Sequence, residues 1–155
     1  MSELDVKIVK LEPMRLASAH GFGTSPEDMA GKKIHAFLKK NNLLEGYGTT
    51  RRHFGFNNPN PSPGSPNYGY EIWVEVGPEV EPEGDIRIID FCGGLYAVTR
   101  FQNLENIGRV WRELVQWREN SKYSPASHQC LEQLHNPTEP DISKYDFTLF
   151  LPISE

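Results

Sequence analysis

Apolar residues recur along this chain with two alternating periods, and the sequence of periods predicts the elements. Val6-Lys7-Ile8-Val9-Lys10-Leu11 reads as an extended segment, Glu12-Pro13 interrupts it, and Met14 to Ala19 resumes it toward Gly21-Phe22-Gly23, as one long bent strand or two short ones. Ser25-Pro26-Glu27-Asp28 is a helix start, with a hydroxyl to cap, proline in the first turn and carboxylates at the positive end of the dipole. A helix follows to about Asn41, with Ala30, Ile34, Phe37 and Leu38 on one stripe facing a sheet and Lys32, Lys33, Lys39 and Lys40 mainly on a solvated face. Thr49 to Phe56 reads as a strand. The Pro-rich run 57–66 sustains neither helix nor ladder, and Tyr68 to Val76 is a strand. In that strand Tyr70, Ile72, Val74 and Val76 share one face and Glu71, Trp73 and Glu75 the other.

The order then repeats. Residues 77–84, rich in Pro and Glu, form a linker; Asp85 to Phe91 and Leu95 to Phe101 are strands separated by Cys92-Gly93-Gly94. Asn103 is the expected cap of a second helix whose stripe is Ile107, Val110, Trp111, Leu114 and Val115, with Trp117 off the stripe. Gln129 to Leu134 and Tyr145 to Ile153 are the last strands. A shift of 77 superposes Ala30, Ile34, Phe37 and Leu38 on Ile107, Trp111, Leu114 and Val115, and Glu71 and Trp73 on Thr148 and Phe150; Phe22 meets Phe101 at a shift of 79. The chain is therefore expected to be one α+β domain over 1–155 built from a duplicated strand-helix-strand-strand unit, about 5–77 and about 85–154. The copies would form a pseudo-twofold antiparallel sheet with two helices on one face and a ligand cleft at the seam.

Composition narrows the function. A length of 155 residues suits one domain with a real core, and the formal charge of −5 argues against direct nucleic-acid binding while suiting soluble partners or cationic ligands. The first residues lack a basic-then-apolar leader, no apolar run approaches a membrane span, and two cysteines suggest reduced thiols, so a cytoplasmic protein is expected. His128-Gln129-Cys130 with His135 lacks the further ligands of a metal site, and neither a nucleophile elbow nor a Gly-rich phosphate loop is present; no cofactor or metal is expected.

The candidate chemistry lies on the strand face turned from the helices. Glu71 and Trp73, with Phe150 at the equivalent position of the second copy, put rings and a carboxylate on an open sheet face suited to a flat lipophilic cation. Phe91 and Tyr96 flank the glycine break as a cleft wall, and Glu132, whose counterpart is Gly55, adds an acid on one side only.

Leu131-Glu132-Gln133-Leu134-His135-Asn136-Pro137 and Phe147-Thr148-Leu149-Phe150-Leu151-Pro152-Ile153, in their duplicated context, resemble the GyrI-like small-molecule-binding family, related to the effector-binding module of AraC-type and MerR-type multidrug regulators. The resemblance covers essentially the whole chain. Glu132 matches the family's acid before the turn, Asn136-Pro137 the turn, and Phe150-Leu151-Pro152 the strand end; the turn is a residue short, and the last-strand acid is replaced by Thr148. What this implies is a ligand cleft of aromatics and one buried acid binding lipophilic, often cationic aromatic molecules, with Trp73, Phe91, Tyr96 and Phe150 as the candidate rings and Glu71 or Glu132 as the acid. With no helix-turn-helix ahead of Val6, a stand-alone multidrug binder is expected. Two other readings stay open. One is a hydrolase of electrophilic xenobiotics, opening strained cyclopropanoid rings in the same cleft with a glutamate and Tyr96 as proton carriers. The other is a protein-binding module like the family's gyrase-inhibitory member, using the 57–66 loop.

Overall fold

The computed structural model describes residues 4–155; Met1, Ser2 and Glu3, where the absence of a leader was read, lie outside the described residues. In chain order the elements are β1 (Lys7–Leu11), β2 (Met14–Gly23), α1 (Pro26–Lys40), β3 (His53–Asn57), β4 (Tyr68–Glu75), β5 (Arg87–Phe91), β6 (Gly94–Gln102), α2 (Ile107–Glu119), β7 (Ser124–Pro125), β8 (Leu131–Leu134) and β9 (Asp146–Ser154). The chain divides into two compact units, Met14–Phe91 and residues 4–13 together with Cys92–Glu155. Each is an antiparallel sheet carrying one helix, an α+β architecture.

In the unit Met14–Phe91 the strand order is β3-β4-β2-β5. Ala17 and Ala19 of β2 and Ile72 and Val74 of β4 meet the α1 stripe Ala30, Ile34, Phe37 and Leu38 in one core. Small residues on the strand let the helix come close: a methyl group at Gly21 would run into the Pro26 carbonyl and lie 2.7 Å from the Met29 Cβ. Pro26 occupies the first turn and Glu27 and Asp28 face the positive dipole end, as the sequence predicts, but the Ser25 hydroxyl makes no capping bond. The strand expected from Thr49 begins only at His53. Gly46 and Gly48 adopt positive φ, and a turn closed by Arg51 N–H on the Gly46 carbonyl takes up the intervening residues.

In the second unit the order is β1-β6-β9-β8, with β7 on β9. Ala97, Leu149, Leu151 and Ile153 pack against Val110 and Leu114 of α2. Asn103 caps as expected, but what it caps is the 3-10 turn Leu104–Asn106, accepting from the Glu105 N–H, and α2 proper starts at Ile107. Trp117 stacks on Tyr123 at 6.1 Å, covering the segment after the helix.

Two features differ from the sequence reading. The compact units are not the contiguous halves: β1, which opens the first half, pairs with β6, and β5, which opens the second, pairs with β2. Phe22 and Phe101, matched in the sequence at a shift of 79, also do not share a face of their sheets: Ser18 sits between Arg87 and Trp73, and Val98 between Lys7 and Phe150. One residue of offset reverses the face. Phe101 consequently packs with the α2 core, while Phe22 lies on the other face of its sheet and is 52% exposed.

Candidate functional site

Strand alternation sets which side chains meet on the face of the Met14–Phe91 sheet opposite α1. Cross-strand partners share a face, so Ser18 is joined there by Trp73 and Arg87, and Glu71 by His20 and Phe56. The separation of Glu71 and Trp73 from Ile72, Val74 and Val76 is the one the sequence predicts. The face is not open, however: Glu71 is only 4% exposed, and Phe54, Phe56, Trp73 and Phe91 are all buried.

A carboxylate so dry requires partners, and Glu71 has them. Its Oε2 accepts from the Ser18 hydroxyl at 2.8 Å and from the Trp73 indole N–H at 2.6 Å, and its Oε1 accepts from the Asn58 amide at 3.1 Å. Asn58 is fixed by the start of the Pro-rich loop, where its N–H donates to the Gly69 carbonyl and the Gly69 N–H to the Pro59 carbonyl. Arg87 brings a guanidinium nitrogen to 3.6 Å from Oε2. Around the acid, Phe56 meets Trp73 edge-on at 4.8 Å and Trp73 meets Phe91 tilted at 5.4 Å. The result is an acid bonded to the central ring of a three-ring cluster, with Trp73 belonging to both sets.

Tyr96 and Phe150 come together in the other unit, edge-on at 5.5 Å, and the His128 ring stands edge-on to Tyr96 at 4.8 Å. Tyr96 is fully buried and its hydroxyl donates to the Gln129 carbonyl. Burial first, and then the Cys130 and Cys92 thiols, push its pKa above the usual phenol range. The break at Gly93-Gly94 serves this packing, because a methyl group at Gly94 would stand 2.7 Å from the His128 ring.

Glu132 does not share a face with Tyr96 and Phe150. It pairs with Leu149 on the helix side, and its Oε2 accepts from the Trp111 indole of α2 at 3.0 Å. Strand parity is the reason: Leu131 pairs with Phe150, so its neighbour points the opposite way. Thr148 shares the Phe150 face and is hydrogen-bonded to His135 at 2.7 Å. The sequence reading missed Ser18, Phe56, Asn58 and Arg87. Only the pairing of β2 and β3 with β4, and of β5 with β2, reveals the first, second and last; Asn58, as the first polar residue after a strand, was legible only as a turn.

Among the described residues no three His, Cys, Asp or Glu side chains are placed to hold a metal ion, and no helix is long and apolar enough to cross a membrane. A cavity of about 310 Å3 lies where α1 ends, lined by Asn41, Leu43 and residues 79–83, and none of the site residues borders it.

The family model for Cass2, an integron-associated effector binding protein, matches residues 7–153, a span that runs through both compact units. The chain belongs to the Cass2 family. No curated protein matches it. Three solved structures illustrate the fold of this Cass2-family chain. EcmrR in its DNA complex superposes with a TM-score of 0.73 at 13% identity, over 97% of this chain. This chain spans only 57% of EcmrR's length. A hydrolase from Listeria innocua gives 0.70 at 13% identity, over 99% of this chain and 94% of that one. SAV2435 bound to tetraphenylphosphonium gives 0.57 at 15% identity, over 97% and 94%. At such identities the likeness is one of fold, and it fits the GyrI-like effector-binding fold that the sequence resembles. The family is one of effector-binding proteins, and the fold agrees with it.

Proposed function

We propose that this Cass2-family chain binds lipophilic aromatic cations of varied structure, with Glu71 supplying the charge and Phe56, Trp73 and Phe91 the stacking surface. The observation that carries the proposal is the carboxylate itself: Glu71 is buried and bonded to the indole of Trp73, which packs against Phe56 and Phe91. A cation lacking hydrogen-bond donors and surrounded by phenyl groups gains more from such a site than from water, because rings and acid together replace a weak hydration shell. Tetraphenylphosphonium, the ligand of SAV2435, has that chemistry and is a suitable probe here. Tyr96 and Phe150 form a second aromatic pair that we assign to the same class of ligand, and Glu132, engaged by Trp111, to holding α2 on its sheet. Direct nucleic-acid binding is no part of the proposal for a chain of formal charge −5.

Turnover ranks behind binding. The Tyr96 hydroxyl already donates to a backbone carbonyl and holds its proton tightly, which suits a packed phenol better than a proton donor. The test is titration of tryptophan fluorescence with tetraphenylphosphonium and with uncharged triphenylphosphine oxide, followed by mass spectrometry of the recovered ligand. Saturable quenching that favours the cation, with the ligand intact, is expected, since the Trp73 indole bonds directly to Glu71. No quenching by either compound would overturn the proposal, and a converted ligand would replace it with the hydrolase reading.

A further inference from the structure

One cation already stands at the acid. Arg87 lies on β5, an outer strand of its sheet, directly across from Ser18, whose hydroxyl binds the same Oε2 that the guanidinium approaches. The two partners differ sharply in surroundings: the Glu71 side chain is 5% exposed and that of Arg87 62%. The contact, at 3.6 Å, is an ion pair without a hydrogen bond, and the carboxylate keeps three other donors whether Arg87 is present or not. Removing Arg87 from Glu71 therefore strips the acid of no hydrogen bond and returns a mostly hydrated side chain to water.

We propose that Arg87 is a resident counter-cation, occupying the charge-recognition position over Glu71 until a ligand cation displaces it, and so a specificity-determining residue of the site. This rests on the functional reading above and deepens it. A built-in competitor sets a threshold: the incoming cation must outbid a guanidinium, and it does so through stacking on Phe56, Trp73 and Phe91, which Arg87 on the exposed side does not use. Small hydrophilic cations bring only charge and lose the exchange. Lipophilic aromatic cations bring charge and area and win it. Removing Arg87 should then relax selection by tightening all cations and leaving neutral aromatics alone.

The test measures dissociation constants of tetraphenylphosphonium, tetramethylammonium and triphenylphosphine oxide for the wild type, R87M, R87A, E71Q and the E71Q/R87M double variant. R87M keeps the apolar stem and removes the charge, and matching thermal melts would show that the fold is kept. R87M and R87A are expected to bind tetraphenylphosphonium about five- to tenfold more tightly than the wild type, with triphenylphosphine oxide changed less than about twofold. Tetramethylammonium should gain at least as much. With Glu71 already replaced, R87M should recover less than about half of that gain, because the two charges act on each other. If the wild type binds tetraphenylphosphonium and E71Q weakens it, but R87M leaves the affinity unchanged or lower, the counter-cation role is overturned while the functional reading stands. If no variant binds the cation, both fall together.

Discussion

Glu71 spends its charge on a ring-lined position when a surface glutamate could have kept it in water, and its value depends on what meets it. Glu71→Gln keeps the shape and an acceptor oxygen but removes the charge. It should weaken tetraphenylphosphonium about tenfold to a hundredfold and triphenylphosphine oxide by less than about threefold, as isothermal titration would report; equal losses would show that the acid only shapes the site. His53 makes a different prediction, about stability. It is buried on the α1 side of β3, its Nδ1 2.7 Å from the Tyr47 hydroxyl, and burial lowers its pKa from 6.5 to about 4. Between those values the unfolded chain holds more protons than the folded one. Stability is thus complete above about pH 6.5 and falls as the pH drops toward 4, by up to about 3 kcal/mol. Thermal melts of the wild type and H53Q across that range should show the wild type losing more, and parallel curves would refute the assignment. At this scale the strand face of Glu71 and Trp73 was legible, because period-two alternation put them opposite a clean Ile72-Val74-Val76 face. It did not disclose Ser18 or Arg87, whose roles exist only through strand pairing.

Elements succeeded or failed to show in the sequence according to how one-sided their burial is. Both helices were legible from their stripes, and β4 and β9 from alternation with apolar partners on one side. The faces of Phe22 in β2 and Phe101 in β6 were not, because both faces of these strands are buried: Leu16 and Ala17 are adjacent and fully inside, as are Tyr96 and Ala97. A period of two cannot set a register when both parities are apolar. The same lack of a one-sided pattern left the face of Glu132 unread, since its indole partner on α2 is not visible in the strand's own pattern. The α1–β2 contact offers a direct check. With the Pro26 carbonyl and the Met29 Cβ where a methyl group at Gly21 would go, Gly21→Ala must push the start of the helix outward. A loss of about 1–3 kcal/mol in denaturant unfolding is expected, against a gain of about 0.5–1 kcal/mol for Gly31→Ala, in the helix interior with open space for its Cβ.

At the scale of the whole molecule, the sequence offered a repeated element order, and each unit by itself has an outer strand, two central strands and a short fourth strand with one helix. What the repeat could not show is which opening strand belongs to which unit, since the apolar patterns of β1 and β5 suit either partner. That exchange bears on how the chain is made. Lys7 pairs with Val98, so β1 leaves the ribosome about ninety residues ahead of its partner β6, a delay of roughly 5–20 s at ordinary elongation rates. The unit Met14–Phe91 needs nothing synthesised later than Phe91 to complete its own ladder. During that interval β1 waits without its strand partner, and the lysines at 7 and 10, set among Ile8, Val9 and Leu11, act as charged guards against pairing with the wrong neighbour on a crowded polysome.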